Sequence, residues 1–177
     1  MSTSVEDHIE IQRLMYRYAR CADHKDYAAF SDVFCDDAVF DYMGEPVTPL
    51  SAIQEMMLAL QKNKSTLHQV QNTLYDDDGD AATGETYCLA SHLYDDSGVD
   101  MKIDMGIIYE DRLARLALGW RIQLRRFKLL WSQTAPVDRG IDCARRRWNG
   151  GTEGWTVSDD FDLACIRIDC SQGQVLE

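Results

Sequence analysis

The sequence has little with which to hold a polyanion. Lysine and arginine number 18 against 30 aspartate and glutamate, a formal net charge of -12. Such a surface repels phosphate backbones and anionic headgroups. No run of basic residues interleaved with aromatics precedes the C-terminal tail, so no nucleic acid partner is expected. Long apolar runs are missing as well. No stretch approaches the roughly 18 consecutive apolar residues of a membrane span, and residues 1 to 7 are polar and acidic rather than a basic flank before an apolar signal core. The expectation is a cytoplasmic protein with no membrane partner. The six cysteines (Cys21, Cys35, Cys88, Cys143, Cys165, Cys170) form no CxxC pair and no Cys/His ligand cluster. They are read as reduced thiols, although Cys165 and Cys170 could bridge in an oxidising compartment. Neither a metal nor an organic cofactor is implied, and there is no internal repeat or low-complexity tract.

What is present is enough apolar material for one core and a lined cavity. The 177 residues are 45% hydrophobic and 10% aromatic, a length and composition that fit one domain with a modest extension. Ser4 with Asp7 three residues later resembles a capping box, and Ile11, Leu14, Met15, Tyr18, Ala19 and Ala22 follow at helical spacing. A first helix is therefore expected over about 5 to 22. A shorter helical pattern of Tyr27, Phe30 and Phe34 follows, and Ala38, Phe40 and Tyr42 then alternate as a short strand does. Thr48 and Pro49 read as N-cap and first-turn residue of a third helix carrying Leu50, Ile53, Met56, Met57 and Leu60.

From Thr66 the pattern becomes four long extended segments, about 66 to 75, 81 to 94, 100 to 116 and 120 to 131, separated by turn chemistry. The acidic separator at 76 to 80 departs from calcium-loop spacing, with its glycine misplaced and no closing glutamate. It reads as a solvated hairpin turn. Three helices followed by long strands predict an α+β fold, with a curved antiparallel sheet packed against the helices and a cone left between them. Residues 1 to 135 form the expected domain, and 136 to 177 an extension of unknown role.

Two of the four histidines, His68 and His92, fall within predicted strands. By strand alternation His68 shares a face with Val70, Asn72 and Leu74, and His92 with Cys88 and Ala90. A buried imidazole needs a partner for its ring N–H, and Asp23, just past the first helix, is a candidate. A satisfied structural histidine is the alternative. Among the phenols, Tyr16, Tyr18, Tyr42, Tyr87, Tyr94 and Tyr109, most belong to core or rim, and one or two could donate to a ligand oxygen. Arg121, Arg125 and Arg126 on the last strand could point inward to hold an anion or line an exposed charged face. An epoxide hydrolase on such a fold would need a carboxylate–arginine–carboxylate set to activate water, for which Asp104 and Arg125 are candidates. Met15, Phe30, Phe34, Phe40, Met56, Met57, Leu60, Met105 and Ile107 would supply an apolar wall or plain core.

The order of these elements, with IQRLMYRYARCADHKDYAAFSDVFCDDAVF at the start and GIIYEDRLARLALGWRIQLRRFKLLW at the end, resembles the SnoaL-like branch of the nuclear transport factor 2-like superfamily over residues 5 to 133. That branch includes scytalone dehydratase, bile acid dehydratases, dehydrochlorinases, ketosteroid-isomerase-like proteins and polyketide cyclases. The resemblance implies a cone-shaped, cystatin-like sheet and an Asp-His pair in which the histidine removes a proton during elimination. Asp23 in CADHKDY and His68 in STLHQVQN fall at those places. Tyr18 resembles the tyrosine of the bile acid dehydratases. Tyr42 and His92 are similar to residues of the scytalone enzyme, whose tyrosine before the aspartate is Ala22 here. Arg125, five residues after Trp120, sits where many members carry an arginine. The resemblance thus implies a cofactor-independent lyase acting on an apolar cyclic small molecule, in a homo-oligomer (dimer or trimer). An isomerase or cyclase, and a non-catalytic binding or assembly subunit, are the alternatives.

Overall fold

A computed structural model describes residues 4–137 of the chain. The extension expected from 136 therefore lies outside the described residues except for its first two, and so does the Cys165–Cys170 pair.

Helix α1 (Val5–His24) starts where the capping pattern predicts, with Ser4 Oγ accepting from the Asp7 N–H at 3.0 Å. Ile11, Leu14, Met15 and Tyr18 make its buried stripe, each apolar side chain contributing roughly 1.5–3 kcal/mol by leaving water. The helix ends at Lys25, whose φ of 58° is left-handed and whose N–H returns to Ala22 O. Its last turn extends two residues beyond the expected end and therefore includes Asp23.

Two α-helices are found in the described residues, not three. The segment around Tyr27 and Phe30 is a single 3-10 turn (Ala28–Asp32) before strand β1 (Phe34–Tyr42). Too few residues remain there to repay α-helix nucleation, and the tighter turn already buries Phe30, Val33 and Phe34. Strand β2 (Glu45–Val47) is a short addition that the sequence did not signal. Helix α2 (Leu50–Met57) follows, with Pro49 at the N-cap and no side-chain cap, so the expected Thr48 cap is displaced by one residue. A second 3-10 turn, Leu58–Lys62, leads to the long strands β3 (Ser65–Asp77), β4 (Ala81–Asp96), β5 (Val99–Leu116) and β6 (Gly119–Pro136).

The six strands form one curved sheet in the order β2-β1-β6-β5-β4-β3. It is mixed rather than antiparallel, because β1 pairs parallel with β6. No hairpin joins these two strands, so nothing in the connection enforces an antiparallel pairing. Irregularities interrupt the ladders between Val70 and Thr73, Gly106 and Ile107, and Arg112 and Leu113, and such bulges bend and twist a sheet. The concave face packs against α1 and α2, and the core lies between them.

Candidate functional site

The inner end of the concave face is built around a carboxylate and an imidazole. Asp23 Oδ1 lies 2.6 Å from His68 Nδ1. Its Oδ2 accepts the main-chain N–H of His68 at 2.9 Å, and Oδ1 also accepts the Thr66 hydroxyl at 3.0 Å. The carboxylate stands at a helix C-terminus, where the macrodipole disfavours negative charge. Burial also works against its charged form, yet the hydrogen bonds from His68 and Thr66 outweigh that and hold its pKa below the usual carboxylate range. An ionised carboxylate can only accept, so Nδ1 carries a proton and donates it to Asp23, which leaves Nε2 as the ring nitrogen not engaged by the carboxylate.

His68 forms part of the wall of a cavity of about 380 Å³. Tyr18, Tyr42, His92 and Tyr109 also line it, and the rest of the wall is apolar, with Phe40, Met56, Met57, Leu60, Met105 and Ile107 among the lining residues. The volume lies in the range of small-molecule sites. Met15, Phe30 and Phe34, expected in the same wall, are core residues beside it. The His92 ring centroid is 5.5 Å from that of His68. Its Nε2 is buried and has no hydrogen-bond partner. Desolvation, aided by the neighbouring His68, pushes its pKa down to about 4, so His92 is neutral near pH 7. Tyr18 is 4% exposed and meets the His68 ring edge-on at 6.4 Å. Desolvation raises its pKa, against the opposing Arg125 charge, so it enters the site as a neutral phenol. Tyr42, 46% exposed and packed on Phe127 at 5.0 Å between centroids, belongs to the mouth.

Arg125 does not reach this cavity. It is fully buried, its guanidinium donating to Asp111 from Nε at 2.8 Å and from Nη2 at 2.6 Å. Burial alone would lower its pKa, but the Asp111 carboxylate more than offsets this and the net shift is upward. The expected direct contact between Arg125 and a ligand is therefore corrected: Nε and Nη2 are held by Asp111, Nη1 is buried without a hydrogen-bond partner, and the guanidinium stands behind Tyr18 and Tyr109, outside the cavity lining. Asp104 is not near it in function either, since it accepts from Ser91 at 2.5 Å and pairs with Lys102 at 2.9 Å. The water-activating pair suggested for Asp104 and Arg125 does not exist here.

Three residues of the site escaped the sequence. Tyr109 stood only among the many phenols. Asp111 lies directly opposite Arg125 in the β5–β6 register, and it continues the inward row of Met105, Ile107 and Tyr109, which is the signal that could have revealed it. Tyr75, whose hydroxyl donates to Asp111 at 2.5 Å, was hidden by the bulge between Val70 and Thr73. Past that bulge the inward side of β3 changes parity. Leu74, expected beside His68, is 69% exposed, whereas Tyr75 is buried. Among the described residues no group of three His, Cys, Asp or Glu is placed to hold a metal ion. The acidic 76 to 80 segment is a hairpin turn closed by Asp78, whose N–H donates to Ala81 O.

Residues 3–126 match the SnoaL-like domain family. Comparison with curated proteins returns no match. Among solved structures, the chain is similar to the Kfla4162 protein of Kribbella flavida, at 25% identity over 72% of this chain and 93% of that one, with a TM-score of 0.67. It is also similar to a candidate scytalone dehydratase of Novosphingobium aromaticivorans, at 18% identity over 73% and 87% of the two chains, TM-score 0.67. A third similarity is to hexachlorocyclohexane dehydrochlorinase LinA-type3 of Novosphingobium barchaimii, at 14% identity over 77% and 93%, TM-score 0.65. At such identities the last two speak for the fold alone.

Proposed function

The chain belongs to the SnoaL-like domain family of the nuclear transport factor 2-like superfamily, and on that premise we propose that it is a cofactor-independent lyase of the dehydratase or dehydrohalogenase kind. The observation that carries this reading is the 2.6 Å contact between Asp23 and His68 in the wall of an otherwise apolar cavity. His68 Nε2 takes a proton from a carbon of the substrate. The C–H electron pair becomes the new carbon–carbon double bond, and a hydroxyl or halide leaves with its own bonding pair. Asp23 stabilises the imidazolium formed on His68 and fixes its orientation. A departing hydroxyl leaves as water by taking the Tyr18 hydroxyl proton, with His92 beside it, and after the product departs the proton held on His68 returns through water to the Tyr18 phenolate, restoring both groups; a departing halide needs no proton. Exclusion of water lets a modest base act on a weakly acidic carbon.

The substrate class proposed is an apolar cyclic molecule bearing one such leaving group. An isomerase begins with the same proton abstraction and differs in having no leaving group. The His92 ring, which lies 5.5 Å from that of His68 in the same cavity wall with its buried Nε2 unpaired, favours elimination, because an isomerase needs no second imidazole beside the base. We propose further that the protein works in the cytoplasm as a homo-oligomer. Leu67 and Trp131, exposed on the convex side of the sheet, support the latter.

The experiment is to incubate wild type, His68→Ala and Asp23→Asn with cyclic β-hydroxy ketones, steroid enones and halocycloalkanes, and to follow turnover by mass spectrometry. Turnover that both substitutions abolish in folded protein is expected. Turnover insensitive to both would overturn the dyad, and no turnover by wild type would favour a binding subunit.

A further inference from the structure

Behind the cavity wall lies a group of polar side chains to which the elimination chemistry assigns nothing. The Arg125 guanidinium is held between two aromatic rings, its carbon 4.1 Å from the Tyr18 centroid and 4.3 Å from the Tyr109 centroid. Asp111 holds the guanidinium edge at two points, and Tyr75 donates to the same carboxylate. Burying an ion pair this deeply gains little stability over an apolar replacement of similar volume. The two rings that sandwich the guanidinium also lead toward the cavity. Tyr18 and Tyr109 line it and cross at 5.5 Å between centroids.

We propose that Arg125 is a positioning residue that acts through Tyr18: its guanidinium, fixed by Asp111, clamps the Tyr18 ring beside His68 and strengthens the Tyr18 hydroxyl as a hydrogen-bond donor into the cavity. A planar cation on a phenol face does both things. It restrains the ring by stacking, and its charge favours electron density on the phenol oxygen, which makes the O–H more acidic. Lysine would retain the charge but not the stacked plane. The groups facing Tyr18 are His68 from β3, Cys88 from β4, Tyr109 from β5 and Arg125 from β6. Arg125 is the cation among them that Asp111 keeps in place. The inference deepens the elimination reading, in which Tyr18 assists the leaving group, and rests on it for its meaning.

Its test needs no substrate, so its outcome is independent of the turnover experiment. Fluorotyrosine is incorporated at position 18 of the full chain, and its phenol is titrated by fluorine NMR in wild type, Arg125→Gln and Arg125→Lys. The expected result is a rise in the position-18 pKa of about one unit or more in Arg125→Gln, with less than half that rise in Arg125→Lys. The fluorine line should broaden or split in both variants as the ring is released. If Arg125→Gln does not fold, the neutral pair Asp111→Asn with Arg125→Gln replaces it, and the same rise is expected. An unchanged titration in a folded charge-removal variant overturns the proposal and leaves Arg125 as a core ion pair only.

Discussion

Asp23 holds His68 at two points, taking the ring Nδ1 on one carboxylate oxygen and the main-chain N–H on the other. Two opposing effects decide what removing that carboxylate does. Relief of the unfavourable helix dipole is worth about 0.3–1 kcal/mol. Leaving the Thr66 hydroxyl and the His68 N–H groups without an acceptor costs roughly 1–3 kcal/mol. The loss wins, so Asp23→Ala should be destabilised by about 1–2 kcal/mol in urea unfolding, and Asp23→Asn, which keeps one acceptor, by less. A stabilised Asp23→Ala would mean that the carboxylate is strained by its position rather than sustained by its partners.

His92 sets an acid limit on stability. Its folded pKa, about 4, lies below the unfolded value of about 6.5, so in that window the unfolded chain binds the proton and the folded chain does not. Its contribution is complete above about pH 6.5 and is lost as pH falls toward 4, with a slope of at most about 1.4 kcal/mol per pH unit. Asp23 adds to the loss at lower pH, because its folded pKa is depressed and its stabilisation disappears as the carboxylate protonates. Unfolding free energies measured across this range should fall steeply for wild type and more gently for His92→Leu. Parallel curves would show that another group carries the acid sensitivity.

Two glycines on the sheet make contrasting predictions. A Cβ on Gly84 would meet the Leu74 carbonyl oxygen and the Tyr75 Cα, both main-chain atoms of the neighbouring strand. A Cβ on Gly106 would meet only the Trp131 indole, a side chain that can turn aside. Gly84→Ala should therefore be the more destabilising, by about 1–3 kcal/mol as an overpacked site. Gly106→Ala should mainly shift the tryptophan fluorescence. Equal costs would place the strain in the strand geometry and not in these contacts.

The parts of the fold legible in the sequence are those that repeat locally. The stripe of Ile11, Leu14, Met15 and Tyr18 defined α1, and tight-turn residues divided the four long strands. Pairing direction does not repeat locally, which is why the parallel alignment of β1 with β6 was not foreseen. A bulge shifts the inward side by one residue and defeats period-two reading, which placed Leu74 inside and overlooked Tyr75. The break between Gly106 and Ile107 places its extra residue, Leu130, on β6, so the inward rows of β4 and β5 keep their alternation, and there His92, Met105 and Ile107 follow the expected parity. The approach of Asp23 to His68 spans 45 residues, and no periodicity encodes it. The need of a buried imidazole for a partner made Asp23 a candidate beside a satisfied structural histidine, and the resemblance then pointed to the pair. Arg125 shows the converse: its sequence position suggested a ligand contact, and only the Asp111 register reveals that its charge is already engaged.

The cavity itself can be separated from its chemistry by filling it. Met105 faces the space from β5 and touches neither Asp23 nor His68 in the hydrogen-bonded set. Met105→Trp places a rigid indole where a flexible thioether lined the wall, and open space beside it limits the overpacking cost to about 1–3 kcal/mol. Binding of a neutral apolar fluorescent probe such as Nile red should weaken by about tenfold, a loss of about 1.4 kcal/mol. His68→Phe, which retains a flat ring and removes the proposed base, should leave the same binding within a few-fold while abolishing any turnover. If Met105→Trp binds the probe as wild type does, the apolar site is elsewhere on the molecule, and the place of His68 in this wall would no longer support a role on substrate.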